Sequence, residues 1–237
     1  MNYIKRNLEK IVIELSEQYP VILITGPRQV GKTTMLQKLM EGTNRTYVSL
    51  DDLNNRALAK SDPAMFFQIH ETPILIDEVQ YAPELFTYIK IMVDKNRVPG
   101  EFWLTGSQMF KLMDGVQESL AGRVAVLNLS SLSQNEIYSS CENVPFTIDL
   151  RVLKERQKFI KAATTPEIFR RIFTGGMPAI VSGKYRDSNI FYSSYISTYL
   201  ERDVKELSGT IDSLKFLKFI TAVAARTSQV VNYADIA

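Results

Sequence analysis

The sequence predicts an α/β fold: a five-stranded parallel sheet flanked by helices, followed by an all-helical region. Three observations predict it. Apolar, strand-like runs alternate with helical periodicity five times within residues 1–136, and that alternation makes a parallel sheet with both faces covered. The first run, Val21–Thr25, ends in a glycine-bearing turn that opens a helix. The third, Pro73-Ile74-Leu75-Ile76, delivers two adjacent acids, Asp77 and Glu78. After Glu136 the strand signals stop, which divides the chain into residues 1–136 and 137–237.

The turn reads Gly26-Pro27-Arg28-Gln29-Val30-Gly31-Lys32-Thr33-Thr34. This is a phosphate loop, Gly-x-x-x-x-Gly-Lys-[Ser/Thr], in the context it requires, with a strand before and a helix after. Gly26 and Gly31 let the backbone curl so that several N–H groups converge on phosphate oxygens. The following helix presents its positive end to the same anion. Lys32 can neutralise the β- and γ-phosphates, and the Thr33 hydroxyl can hold Mg²⁺. The alternative is an accidental glycine turn, and the flanking strand and helix weigh against it.

Composition narrows the class. Hydrophobic residues make up 45% and charged residues 23% of 237, the balance of a globular protein. Twenty-eight Lys and Arg face 26 Asp and Glu, a net charge of +2. That balance demands neither nucleic acid nor membrane as partner, so any basic surface is local. The single cysteine, Cys141, and single histidine, His70, exclude a structural zinc site and favour a reducing compartment. No apolar run approaches membrane-spanning length, and Lys5, Arg6, Glu9 and Lys10 interrupt any signal-peptide core. The expected location is the cytoplasm.

Along the chain, Ile4, Leu8, Ile11 and Leu15 predict an amphipathic helix over residues 2–18. Arg6 there is either a solvated charge or a contact to a nucleotide base. Residues 45–50 form the second strand, ending in Asp51-Asp52, which either hold Mg²⁺ through water or cap the helix from Leu53. In the third strand Asp77 is placed to hold the Mg²⁺ shell through water. Glu78 is placed to orient and deprotonate an attacking water. Residues 101–108 form a fourth strand with a polar end. Thr105, Ser107 and Gln108 are there as candidates for γ-phosphate contact, against the alternative of a closing turn. Val124–Leu129 is the fifth strand, and Arg123 before it is either a surface ion pair or a cation for a neighbouring subunit's site. Arg151, Lys154, Arg156, Lys158 and Lys161 form the densest basic run, either a solvated helix face or a phosphate-backbone contact. The aromatic faces of 191–207 and 214–226 read as core.

Five stretches match one family in type and order: Gly26–Thr34, Leu50-Asp51-Asp52, Ile76-Asp77-Glu78-Val79-Gln80, Leu104-Thr105-Gly106-Ser107 and Leu120-Ala121-Gly122-Arg123. They resemble the uncharacterised AAA+-superfamily ATPases of bacteria and archaea that carry a C-terminal domain of unknown function. Gly175-Gly176-Met177-Pro178 and Tyr199-Leu200-Glu201-Arg202-Asp203-Val204 look like the opening of that second domain. The resemblance implies a five-stranded ATPase core of the AAA+/ASCE-like phosphate-loop type, with ATP and Mg²⁺ as ligands. It also implies a winged-helix-like unit opening near Asn232, with more chain beyond, so that an incomplete C-terminal region is expected. One departure is visible. Ser131 stands where the family's Leu-x-Pro-Leu-Ser-x-x-Glu run has proline, whereas Leu132, Ser133 and Glu136 agree.

The reading is an ATPase with a helical C-terminal module. Glu78, Ser107, Gln108 and Arg123 are its candidate catalytic residues, and Thr33 and Asp77 its Mg²⁺ residues. A homo-oligomer and a DNA or protein partner for the C-terminal region are open expectations; a membrane is not expected. The rivals are a non-hydrolysing nucleotide-dependent switch and a nucleic-acid-binding ATPase that uses the basic helix and the missing winged helix.

Overall fold

The computed structural model describes residues 3–107, 119–139, 147–158, 163–199, 212–230 and 232–235. Gln108, Cys141, residues 200–204 and residues 159–161 of the basic run lie outside the described residues, as do Val231, Ile236 and Ala237. Among the described residues no helix is long and apolar enough to cross a membrane. Chain contacts separate two compact units, Met1–Lys184 and Tyr185–Ala237.

The first unit is built on strands β1 (Val21–Thr25), β2 (Thr46–Ser49), β3 (Ile74–Asp77), β4 (Phe102–Thr105) and β5 (Val124–Asn128). All pairings are parallel, in the order β2-β3-β4-β1-β5. Every residue of β1, β3 and β4 is buried, which is why these runs read as continuously apolar rather than alternating. Edge strand β5 is part-exposed. Helices α1 (Leu8–Ser16), α2 (Lys32–Met40), α3 (Leu53–Ser61), α4 (Pro63–Ile69) and α5 (Glu84–Lys95) supply the layers. The core gathers Leu23, Leu50, Phe66, Ile76, Phe86 and Leu104 among others.

Helix α1 starts at Leu8, later than its apolar spacing suggests. The Glu9 carboxylate accepts the Arg6 N–H at 2.5 Å and the Tyr3 hydroxyl at 2.8 Å, which holds residues 3–7 outside the helix. Asp52 caps α3 by accepting the N–H groups of Asn54 and Asn55, both at 2.9 Å. Asp51 lies 3.8 Å from Arg56. His70 ends α4 against the Phe66 ring at 4.7 Å.

After β5 come short helices Gln134–Tyr138, Leu150–Gln157, Thr165–Thr174 and Pro178–Val181. Strand signals end at residue 136, yet the compact unit runs on to Lys184. One reason is local: the Leu132 N–H donates to the Gly176 carbonyl at 2.8 Å, bringing the Gly175-Gly176-Met177-Pro178 turn back to the segment after β5. In the second unit the described residues form helices Ser188–Tyr199 and Ser213–Ala225 and a 3-10 turn, Tyr233–Asp235. Phe191 packs with Tyr185 and Tyr195 there, and Asn232 accepts the Ala234 N–H at 3.0 Å.

Leu23 lies in β1, an interior strand, with no exposure, whereas Val126 on the edge strand is 38% exposed. Leu23→Ala is expected to cost about 2–5 kcal/mol of unfolding free energy. Val126→Ala should cost less than about 1 kcal/mol. Urea denaturation followed by circular dichroism checks the contrast.

Candidate functional site

The site lies at the carboxyl ends of β1, β3 and β4. Leaving β1, the chain turns at Gly26 with φ +138°, where an added Cβ would meet the Leu129 carbonyl oxygen at 2.2 Å. Only glycine fits that approach. Gly31, at φ +93°, is the residue before α2. Lys32 opens the helix, and its buried ammonium donates to the carbonyls of Gly26 at 3.0 Å and Pro27 at 2.9 Å. Pro27, Gln29 and Thr34 are exposed, Arg28 is half-buried and Val30 is buried. The loop backbone, α2's amino end and Lys32 together fit an anionic phosphate chain.

Strand β3 carries Asp77 to the same place. Its Oδ1 accepts the Thr33 hydroxyl at 2.6 Å and also the Thr105 hydroxyl, while Oδ2 accepts the Tyr47 hydroxyl at 3.3 Å. Burial and the Asp77 charge push the Tyr47 phenol above its ordinary range. The Thr33 hydroxyl and the Asp77 carboxylate are hard oxygen donors side by side, a set that suits Mg²⁺. Among the described residues no cluster of three His, Cys, Asp or Glu exists.

Glu78 follows in left-handed backbone, φ 56° and ψ 47°, a conformation that non-glycine residues adopt at a cost. Its N–H donates to Thr105 Oγ1 at 3.2 Å. Its Oε2 accepts the Ser107 hydroxyl at 3.1 Å and the Gln80 side-chain amide. Gln80 is 8% exposed, and its Oε1 is buried with no hydrogen-bond partner among the described residues. A carboxylate oriented by two donors beside the phosphate loop can take a proton from water held between them.

The structure therefore brings Lys32, Thr33, Asp77, Glu78, Thr105 and Ser107 together. Asp52 instead caps α3, Asp51 acts on the site through its charge at Tyr47, and Arg123 is not brought to it. Arg123 sits at the amino end of β5, where Nε and Nη2 hold both Asp94 oxygens at 2.6 and 2.9 Å.

Sequence reasoning gave Gln80 and Tyr47 no part in the site, and Arg6 a different one. Arg6 is 5% exposed, buried rather than solvated. Its Nη1 donates to the Val30 carbonyl at 2.7 Å, Nη2 to the Ser130 carbonyl at 2.7 Å and Nε to Glu136 Oε1 at 3.1 Å. Glu136 also accepts the Asn7 N–H and the Ser133 N–H, each at 2.8 Å, the latter within a capping box. Burial pushes the Glu136 carboxyl up. The N–H groups of Ser133 and Asn7 and the Arg6 charge outweigh that, and the net position is below the ordinary 4.5. The Ser-x-x-Glu spacing was a readable signal for the capping box. No local signal could have paired Arg6 with residues 24 to 130 positions away.

Strand order, phosphate loop and acidic pair define the class, a P-loop ATPase fold of AAA type. The chain belongs to the AAA domain family, whose profile matches residues 18–138. A profile for a domain of unknown function matches residues 165–237. Uncharacterized proteins of Mycobacterium tuberculosis and Mycobacterium bovis are each 30% identical over 220 residues, 92% of this chain. The chain spans 44% of the length of those relatives. Among solved structures, a Walker-type ATPase of Pyrococcus abyssi superposes with TM-score 0.53 at 17% identity, covering 87% of this chain and 75% of its own. DnaA from Aquifex aeolicus, bound to AMPPCP, gives TM-score 0.46 at 16% identity over 94% and 69%.

Glu136 titrates lower when folded, so its contribution to stability is full above the ordinary 4.5 and is lost as pH falls through the lower folded value. Stability measured by urea denaturation should therefore decline from about pH 5 downward. Glu136→Gln should be less stable at pH 7 and show a shallower acid slope.

Proposed function

We propose that this chain binds Mg-ATP at Gly26–Thr34 and hydrolyses it, using residues 1–136 as the ATPase domain and 137–237 as the region that couples turnover to a partner. The observation that carries the reading is the Glu78 carboxylate, oriented by Ser107 and Gln80 beside the Thr33–Asp77 pair. Bound Mg²⁺ would supply charge neutralisation at the phosphate oxygens, held by Thr33 and, through water, by Asp77. Lys32 exchanges loop carbonyls for β- and γ-phosphate oxygens. Glu78 accepts the proton of the attacking water as the bond from the γ-phosphorus to its bridging oxygen breaks. Ser107, hydrogen-bonded to Glu78, is the first candidate for the γ-phosphate, and Gln108 follows it in sequence as the second candidate. The proposed location is the cytoplasm.

Two variants separate binding from chemistry. Lys32→Ala should lose ATP affinity. Glu78→Gln should still bind ATP and lose turnover by about a hundredfold or more, the reach of a general base. Isothermal titration and a steady-state phosphate-release assay read the two, and parental turnover in Glu78→Gln would remove the assignment.

The bidentate pair with Asp94 supports a structural part for Arg123. A part at a neighbour's site would instead make turnover per chain rise with protein concentration, and a dilution series of the same assay decides.

A second reading, a DNA backbone contact, is favoured by the helix Leu150–Gln157. It has no buried residue and carries Arg151, Lys154 and Arg156. Its test is a DNA affinity that falls steeply with salt.

A further inference from the structure

We propose that Arg6 is a positioning residue of the phosphate loop, held in place by Glu136, which fixes the Val30–Gly31 peptide so that its N–H faces the bound phosphates. This rests on the nucleotide reading above. The peptide is trans, since Thr72-Pro73 is the one cis bond among the described residues. In a trans peptide the C=O and N–H point to opposite sides of the plane. The Val30 carbonyl accepts from Arg6 Nη1 at 2.7 Å, so the Gly31 N–H points to the side away from Arg6. Gly31 itself, at φ +93°, has no side chain to restrict its rotation. Without the bond to Arg6, that peptide loses a charge-assisted hydrogen bond on the outer side of the loop.

The chemistry of the clamp explains the residue type. Arg6 holds a loop carbonyl, the Ser130 carbonyl after β5 and a carboxylate at once, each from a different nitrogen. A planar guanidinium offers those directions in one rigid group, and an ammonium does not. Glu136 is locked in turn by the N–H groups of Asn7 and Ser133. Both side chains are 5–6% exposed, so neither is swung aside by solvent. Beside the same peptide, the Cγ of Pro178 lies 4.0 Å from where a Gly31 Cβ would stand, closing the outer face with a rigid ring. The anchoring groups thus come from residues 6–7 and 130–136, outside the motif whose shape they set.

The experiment compares the parent chain with Arg6→Lys, Glu136→Gln and the double variant, at a temperature where circular dichroism shows each folded. ATP affinity is titrated with magnesium present, and kcat and KM are measured separately. Arg6→Lys should weaken ATP binding about tenfold, the value of one charge-assisted hydrogen bond, and raise KM while kcat changes little. Glu136→Gln should move both in the same direction by less. The double variant should be no weaker than Arg6→Lys, because both act through one contact. A folded Arg6→Lys chain with parental ATP affinity overturns the proposal. Should Arg6→Lys fail to fold, the isosteric Glu136→Gln is decisive: a raised Kd at parental kcat supports the clamp, and a parental Kd overturns it. A folded parent that binds no ATP overturns the nucleotide reading instead, and the clamp with it.

Discussion

The placement of β4 between β1 and β3 is the constraint on which the site depends. Neighbouring strands stand about 4.8 Å apart, so the strand that feeds the phosphate loop and the strand that carries the acids are about 10 Å apart at their carboxyl ends. That gap leaves room for the first turn of α2, and Thr33 crosses it to reach Asp77. Thr105, at the end of the intervening strand, donates a hydroxyl hydrogen bond to Asp77 and accepts the Glu78 N–H. One buried side chain thus orients both acids. With β1 and β3 adjacent, neither contact could form in this way.

A second constraint follows from the loop itself. Turning N–H groups toward an anion turns carbonyls the other way, and buried carbonyls need donors. Cationic side chains meet that need here. Without a nucleotide Lys32 takes the carbonyls of Gly26 and Pro27, and Arg6 takes that of Val30. The loop is therefore held from inside the motif and from outside it. A buried pair such as Arg6–Glu136 is weak evidence for net stability, because desolvation offsets its Coulomb energy, but stripping one partner leaves a buried charge alone. Its value lies in fixing geometry.

Much of this was legible in residue order. Val21–Thr25 and Gly26–Lys32 announce a strand, a tight turn and a helix because each depends on neighbours a few positions away. The apolar run that becomes β3 was readable for the same reason. The partners of Glu78 were not legible: the polar end of β4 offered Ser107 for the γ-phosphate, and a residue two positions on, Gln80, reaches back only because Glu78 adopts a left-handed backbone and a 3-10 turn follows. Nothing in the residue types of Ile76–Gln80 specifies that turn.

The sequence by itself determined the chemistry of the site: a glycine-framed loop before a helix, a lysine and a threonine at its start, and two acids closing an apolar strand. These are local patterns, and backbone sterics with hydrophobic burial enforce them over short spans. The tertiary structure decided which distant groups complete them. It set Tyr47 on Asp77, took Arg6 out of the predicted first helix to bind Val30, Ser130 and Glu136, and carried Arg123 to Asp94 at the far end of its strand. Those pairings depend on strand order and on the path of the chain after β5. Their energies arise only when segments 24 to 130 residues apart are brought together by the folded chain, and no short window of sequence contains that information.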